Sequence, residues 1–215
     1  MLETVLITGA TSKTYEAIAS AAKSAGFKTA VADTENAKNT IQWNKASPIS
    51  ARAVVLQAEN LLGKIGNTIL YFDAVNYDES FGKLSVENIS RGIDSMTLGY
   101  MYLAQELISR FSQENEGNLV FMINKSEQRE YGVLTSAAIA AFEAFAERTA
   151  NFYAGKNGGV ILVKNNDTSI EETADWLFQY LNQPGAQKNA FNPKAASKWL
   201  KPGAKPAASI PLFGR

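Results

Sequence analysis

The stretch Val5-Leu6-Ile7-Thr8-Gly9-Ala10-Thr11-Ser12-Lys13-Thr14-Tyr15-Glu16-Ala17-Ile18-Ala19 decides the fold. Its first part is a short apolar run closed by Gly9, the pattern of a buried strand. A helix follows from about Thr14 to Ala25, with Ile18, Ala21, Ala22 and Ala25 on one face and Gly26 as its C-terminal stop. The same alternation continues down the chain. Thr29-Ala30-Val31-Ala32 reads as a strand ending at Asp33. Ser47-Pro48 reads as an N-cap with proline at the first helical position, ahead of Val54, Ala58, Leu61, Leu62 and Ile65 at helical spacing.

Further strands are read at Ile69-Leu70-Tyr71-Phe72, Leu119-Val120-Phe121-Met122-Ile123 and Val160-Ile161-Leu162-Val163. Between them, Ser85 is a candidate cap for a long helix whose stripe is Ile89, Ile93, Met96, Tyr100, Leu103, Leu107 and Phe111. Another helix is expected from about Leu134 to Tyr153, and a last one from Ile170 to Leu181. Strands that are apolar along their whole length and separated by helices imply an α/β fold: a doubly wound, mostly parallel, Rossmann-like sheet covered on both faces. Ligands of such folds lie outside the carboxyl ends of the strands. The residues of interest are therefore 9–15, Asp33, 73–76, 124–131 and 165–168.

Composition removes whole reaction classes. The 215 residues are 46% apolar, 20% charged, and contain no histidine and no cysteine. A Ser-His-Asp triad, a cysteine nucleophile, a disulfide and a thiolate or imidazole zinc site are excluded. Lys+Arg 21 balances Asp+Glu 21, which argues against bulk binding to nucleic acid. The balance hides an asymmetry. No acid follows Asp175, while Lys188, Lys194, Lys198, Lys201, Lys205 and Arg215 do, together with Pro184, Pro193, Pro202, Pro206 and Pro211. The reading is an acidic Rossmann-like domain over 1–183 and a basic, proline-rich tail over 184–215. Aromatic residues in that tail (Phe191, Trp199 and Phe213) suggest that part of it docks on the body. Neither a signal peptide nor a membrane span is read, so a cytoplasmic protein is expected.

Within this frame, residues 7–19 resemble the opening T-G-x-x-x-G-x-G and helix of short-chain dehydrogenases/reductases. Ile69-Leu70-Tyr71-Phe72-Asp73-Ala74 is similar to the strand that carries the family's N-N-A-G. Gly117 to Asn124 looks like the strand ending in the catalytic serine, and Ile139 to Phe145 like the helix beginning with the catalytic lysine. The likeness covers the body to about Leu181, and it rests on the order and spacing of the pieces, since no single motif is intact. It implies an NAD or NADP cofactor, oxidation or reduction of an alcohol/carbonyl pair, and a homodimer or higher homo-oligomer built on two long helices.

Carried over position by position, the family's catalytic residues are substituted. The Tyr position falls on Thr135, the Lys position on Ile139, the Ser position on Asn124 and the Asn position near Met96. An isoleucine can neither lower a hydroxyl pKa nor hold a ribose. In the nucleotide loop Thr8 and Gly9 remain, but the second and third glycines are Lys13 and Tyr15. The resemblance leaves Gly9, Ser12, Lys13, Asp33 and Asp73 as cofactor-binding candidates. Lys13 is either a phosphate contact or an exposed loop lysine. Asp33 is either the acceptor for the ribose hydroxyls or a turn residue. Asp73 is either a site residue or a helix cap.

Enoyl reductases within the family have Ser-Lys in this loop and a tyrosine further upstream of the lysine. Thr11-Ser12-Lys13 and Tyr131 share that character, which makes Tyr131 with Lys125 a candidate catalytic pair; the competing reading is a solvated charge run over 125–130. After the last strand, residues 163–168 run almost directly into the helix at Ile170, leaving little room for the family's substrate lid. The expectation is a non-catalytic binding or scaffold homologue whose nucleotide binding is reduced or lost. The alternative is an NAD(P)-dependent oxidoreductase with relocated acid/base residues.

Overall fold

A computed structural model describes residues 3–9, 12–34, 39–80, 82–156, 158–166 and 168–205. Among the described residues, seven strands form one fully parallel sheet in the order β3-β2-β1-β4-β5-β6-β7. They are β1 (Thr4–Thr8), β2 (Lys28–Asp33), β3 (Ile41–Gln42), β4 (Asn67–Asp73), β5 (Asn118–Asn124), β6 (Gly159–Asn165) and β7 (Trp199–Leu200). The reversal of strand order at β1 places the ligand crevice beyond Thr8 and Asp73.

Period-two alternation along each strand splits the core in two. Leu6, Leu70, Phe72, Phe121 and Leu162 face one layer, built on α2 (Pro48–Leu62), α5 (Gly99–Glu114) and α6 (Val133–Tyr153). Val5, Ile7, Ile69, Val120, Met122 and Ile161 face the other, built on α1 (Ser12–Ser24) and α7 (Ile170–Leu181). The Ser47 side chain accepts from Ser50 N, so the cap and the proline start at Pro48 act as the sequence implies. Ser85 likewise accepts from Asn88 N. No described helix is long and apolar enough to cross a membrane.

The structure departs from the sequence reading along the long helix. The long helix is not continuous. It consists of α4 (Val86–Ile93), a π-helical turn (Asp94–Leu98) and α5. The extra residue of a π-turn rotates α4 about the helix axis relative to α5, so a stripe projected at α-helical spacing fails across it. Met96, Tyr100, Leu103, Leu107 and Phe111 are buried, but Ile89 and Ile93 are 39% and 44% exposed. Part of the segment read as a tail lies on the body, as its aromatic residues suggest. It forms α8 (Pro184–Ala190), α9 (Pro193–Ala196) and β7, with β7 pairing on β6. Trp199 Nε1 donates to Glu147 Oε1 at 2.7 Å, and Trp176 Nε1 donates to the Ala204 carbonyl at 3.0 Å. Pro206, Pro211, Phe213 and Arg215 lie outside the described residues. Two short elements carry no clear signal in the sequence: α3 (Ala74–Ser80) and β3.

Candidate functional site

The ends of β4, β5 and β6 are in register, so Asp73, Asn124 and Asn165 stand side by side. They are joined by hydrogen bonds. Asn165 Nδ2 donates to Asn124 Oδ1 at 3.0 Å and to the Thr168 carbonyl at 2.9 Å. Asn124 Nδ2 donates to Asp73 Oδ1 at 3.3 Å. Asp73 Oδ1 also accepts from Val75 N at 3.2 Å, at the start of α3. Asp73 thus caps the start of α3 and also closes one end of a polar row across the crevice floor. Burial raises its carboxyl above the usual range, against the hydrogen bonds it accepts. Burial, with the Asp73 charge next to it, pushes the Tyr71 hydroxyl well above the ordinary phenol range.

Gly9 has φ +83, and a Cβ there would meet the Tyr71 carbonyl and, at 2.6 Å, the Tyr100 hydroxyl. The glycine is required by both conformation and space. The backbones of Ser12 and Lys13 form the first residues of α1, while their side chains lie outside the described residues, as do Ala10 and Thr11. Asp33 is buried at 4% exposure, and its Oδ1 accepts from Thr34 N at 2.6 Å. This contact fits the turn reading and engages Oδ1 alone.

Tyr131 and Lys125 are each engaged elsewhere. The Tyr131 hydroxyl accepts from Ser126 N at 2.8 Å. Lys125 Nζ and Lys164 Nζ each stand 2.8 Å from Glu143 Oε1. Burial opposes ionisation of Glu143, but the two ammonium groups prevail and hold its carboxyl below the usual range. Thr135, Ile139 and Met96, the remaining carried-over positions, are 1%, 8% and 0% exposed, and Met96 and Ile139 belong to the core under α5 and α6.

A second polar centre lies beside this row, and the sequence reading missed it. Residues 41–46 alternate strictly between buried (Ile41, Trp43, Lys45) and exposed (Gln42, Asn44, Ala46) positions. Only two of them pair as strand, so the alternation is too short to stand out in the sequence. It drives Lys45, 5% exposed, into an aromatic cage. Its Nζ lies 5.0 Å from the Trp43 ring, 5.1 Å from Tyr77 and 4.8 Å from Tyr100. It donates to the Tyr77 hydroxyl and, at 3.4 Å, to the Tyr100 hydroxyl. Tyr77 donates onward to the Ser95 carbonyl at 3.2 Å, and Tyr100 to the Tyr71 carbonyl at 2.5 Å. Gly99 makes this approach feasible, because a Cβ there would stand 2.5 Å from Lys45 Cβ. Burial raises the Tyr100 hydroxyl well above the phenol range, with Tyr77 adding to it.

Known proteins share this architecture. No family profile matches the chain. An uncharacterised protein of Treponema pallidum (strain Nichols) is 24% identical over 166 residues, covering 76% of this chain and 72% of that protein. Among solved structures, a short-chain type dehydrogenase/reductase from Mycobacterium marinum superposes with TM-score 0.73 at 16% identity, over 93% of this chain and 92% of that one. The 3-ketoacyl-(acyl-carrier-protein) reductase from Brucella melitensis, solved with NADH, gives 0.67 at 16% identity, over 93% and 96%. The citronellol catabolism dehydrogenase AtuB of Pseudomonas aeruginosa PAO1 gives 0.67 at 14%, over 93% and 92%. With the strand order, the parallel pairing and the helix layers already in place, these superpositions make the architecture of this chain the short-chain dehydrogenase/reductase fold.

Proposed function

We propose that this protein is a non-catalytic binding or scaffold protein built on the short-chain dehydrogenase/reductase fold, with weak or lost affinity for NAD or NADP. The observation that carries this reading is the row Asp73–Asn124–Asn165, whose polar atoms bond to each other across the crevice floor. Groups that would orient a substrate or a nicotinamide are committed to neighbouring side chains. Two further placements support it. Lys125 is held by Glu143 rather than by Tyr131. Asp33 turns its carboxylate onto Thr34. The same placements weigh against relocated acid/base chemistry on Tyr131 and Lys125. Self-association through the outer face of α6, where Ala137, Ala140 and Ala144 are exposed, belongs to the same proposal.

The test is a titration with NADH and with NADPH, monitored by nicotinamide fluorescence. The expected result is no saturation below about 1 mM, an affinity near the weak end of specific recognition. Tight binding that Asp33→Ala or Lys13→Ala abolishes would overturn the proposal in favour of an oxidoreductase.

A further inference from the structure

A cavity of about 330 Å³ opens at the amino ends of the strands, where Asn67 and Asn118 begin β4 and β5. The crevice lies at the other end of the same strands, beyond Asp73 and Asn124. The length of a seven-residue strand, about 20 Å, separates the two. We propose that this cavity is a ligand site for a small, uncharged, planar molecule that carries an amide or lactam edge. The inference goes beyond the scaffold reading and holds whether or not a nucleotide binds the crevice.

Strand register builds the polar part of the floor. Asn67 stands opposite Asn118, and Asn118 opposite Gly159. Asn118 Nδ2 donates to Asn67 Oδ1 at 2.9 Å, and Asn67 Nδ2 donates to the Thr4 carbonyl at 3.2 Å. Glycine at position 159 leaves room for the arrangement, since a Cβ there would meet Asn118 Oδ1 and, at 2.9 Å, the Ala190 methyl. The two carboxamides are 2% and 5% exposed and hold each other in place. Beside them Phe27, Ile161 and Ala186 supply buried apolar wall, and the Phe27 ring is steadied by Phe178, 5.1 Å between centroids. A flat ring can lie against these groups.

The rim supplies the recognition groups. It is the link from α7 into α8, residues 181–187. Asn182 Nδ2 donates to the Ala25 carbonyl at 3.1 Å, which ties the link to the end of α1, and Pro184 starts α8. Gln183 and Gln187 stand exposed on the cavity wall, and no hydrogen bond of the described residues uses either carboxamide. A carboxamide offers a donor and an acceptor side by side. A ligand edge that also offers one of each, as a lactam or a pyrimidine does, can pair with it twice. Charge narrows the class further. None of the lining residues is titratable, so an ion would leave water without meeting a counter-charge. The volume is near the lower end for small-molecule sites, which suits one ring system and not a dinucleotide.

Nuclear magnetic resonance titration of the ¹⁵N-labelled full chain with uracil, benzamide and benzoate tests the proposal. Uracil, benzamide or both should shift the backbone signals of Phe27, Asn118 and Gln187 saturably below about 10 mM, with Asp73 and Asn124 unmoved. Benzoate has the shape of benzamide and carries a charge, so it should bind at least about tenfold more weakly. Replacing both exposed glutamines, Gln183→Leu with Gln187→Leu, keeps their bulk and removes their hydrogen bonds. The affinity should fall about threefold or more, as the loss of a neutral hydrogen bond implies. Four results would each overturn the proposal: no saturation with uracil or benzamide up to about 10 mM, shifts confined to the crevice, benzoate bound as tightly as benzamide, or an undiminished affinity in the double variant.

Discussion

The Tyr100 hydroxyl donates to the Tyr71 carbonyl at 2.5 Å, one residue past the last β1–β4 pair, Thr8 with Leu70. As β1 ends and the chain turns at Gly9, that carbonyl loses its strand partner, and a side chain from α5 replaces it. The bond ties the helix layer to the crevice and also positions one wall of the Lys45 cage. Tyr100→Phe should leave a buried carbonyl without a donor, at a cost of about 1–3 kcal/mol. Urea denaturation should show the loss as a lower midpoint with an unchanged slope.

Gly9→Ala should be more damaging. The residue would have to hold φ +83 while its Cβ met the Tyr71 carbonyl and the Tyr100 hydroxyl. Strain and overlap together predict a loss of about 2–4 kcal/mol, a fall in melting temperature of roughly 5–15 °C for a chain of this size. A variant melting within two degrees or so of the parent would contradict the crowding described at this position.

Asp73 and Glu143 should respond to acid in opposite directions. The folded-state pKa of Asp73 is raised by burial. Its contribution to stability is therefore most favourable below the unfolded carboxyl value of about 3.9 and declines as pH rises through the folded value. Asp73→Asn removes that penalty and keeps an oxygen for Val75 N and Asn124. It should match or exceed the parent in stability at neutral pH, and the gain should vanish in acid.

Glu143 is the reverse case. Despite burial, its pKa is lowered by Lys125 and Lys164. Its stabilisation is complete above the unfolded value of about 4.3 and is lost as pH falls through the folded value. Glu143→Gln should be less stable than the parent at neutral pH, and the two melting curves should converge as the buffer is made acidic. Curves that stay parallel would rule out the ion pairs as the cause.

A lysine placed at Ile139, the position that the resemblance aligns with the lysine of short-chain dehydrogenases/reductases, should not confer activity. Ile139 is 8% exposed within the core under α5 and α6. Ile139→Lys would place an ammonium group there without a counter-charge, at a cost of several kcal/mol. Neither it nor the double change with Thr135→Tyr should produce NADH oxidation with a panel of ketones and aldehydes. Turnover in the double variant would show that the crevice can support catalysis.

Much of the layout is legible in the residues. The runs at Ile69–Phe72, Leu119–Ile123 and Val160–Val163 mark their strands because burial on both faces demands unbroken apolar residues. The cap at Ser47 with Pro48, and the helix Ile170–Leu181, are legible because caps and amphipathic faces are local signals. The row at Asp73, Asn124 and Asn165 can be located as strand ends but not as one bonded unit, since nothing local fixes the register between strands.

The sequence by itself determined a doubly wound parallel sheet, the position of its crevice, and the absence of imidazole and thiol chemistry. Only the tertiary structure decided which polar side chains meet. Lys125 found Glu143 instead of Tyr131, the π-turn at Asp94–Leu98 turned Ile89 and Ile93 outward, and Lys45 reached Tyr77 and Tyr100 from just beyond a strand two residues long. Hydrophobic periodicity is written along the chain, and a reader can project it. Side-chain pairing depends on register, helix phase and close approach between segments far apart in sequence, and those are set when the layers pack.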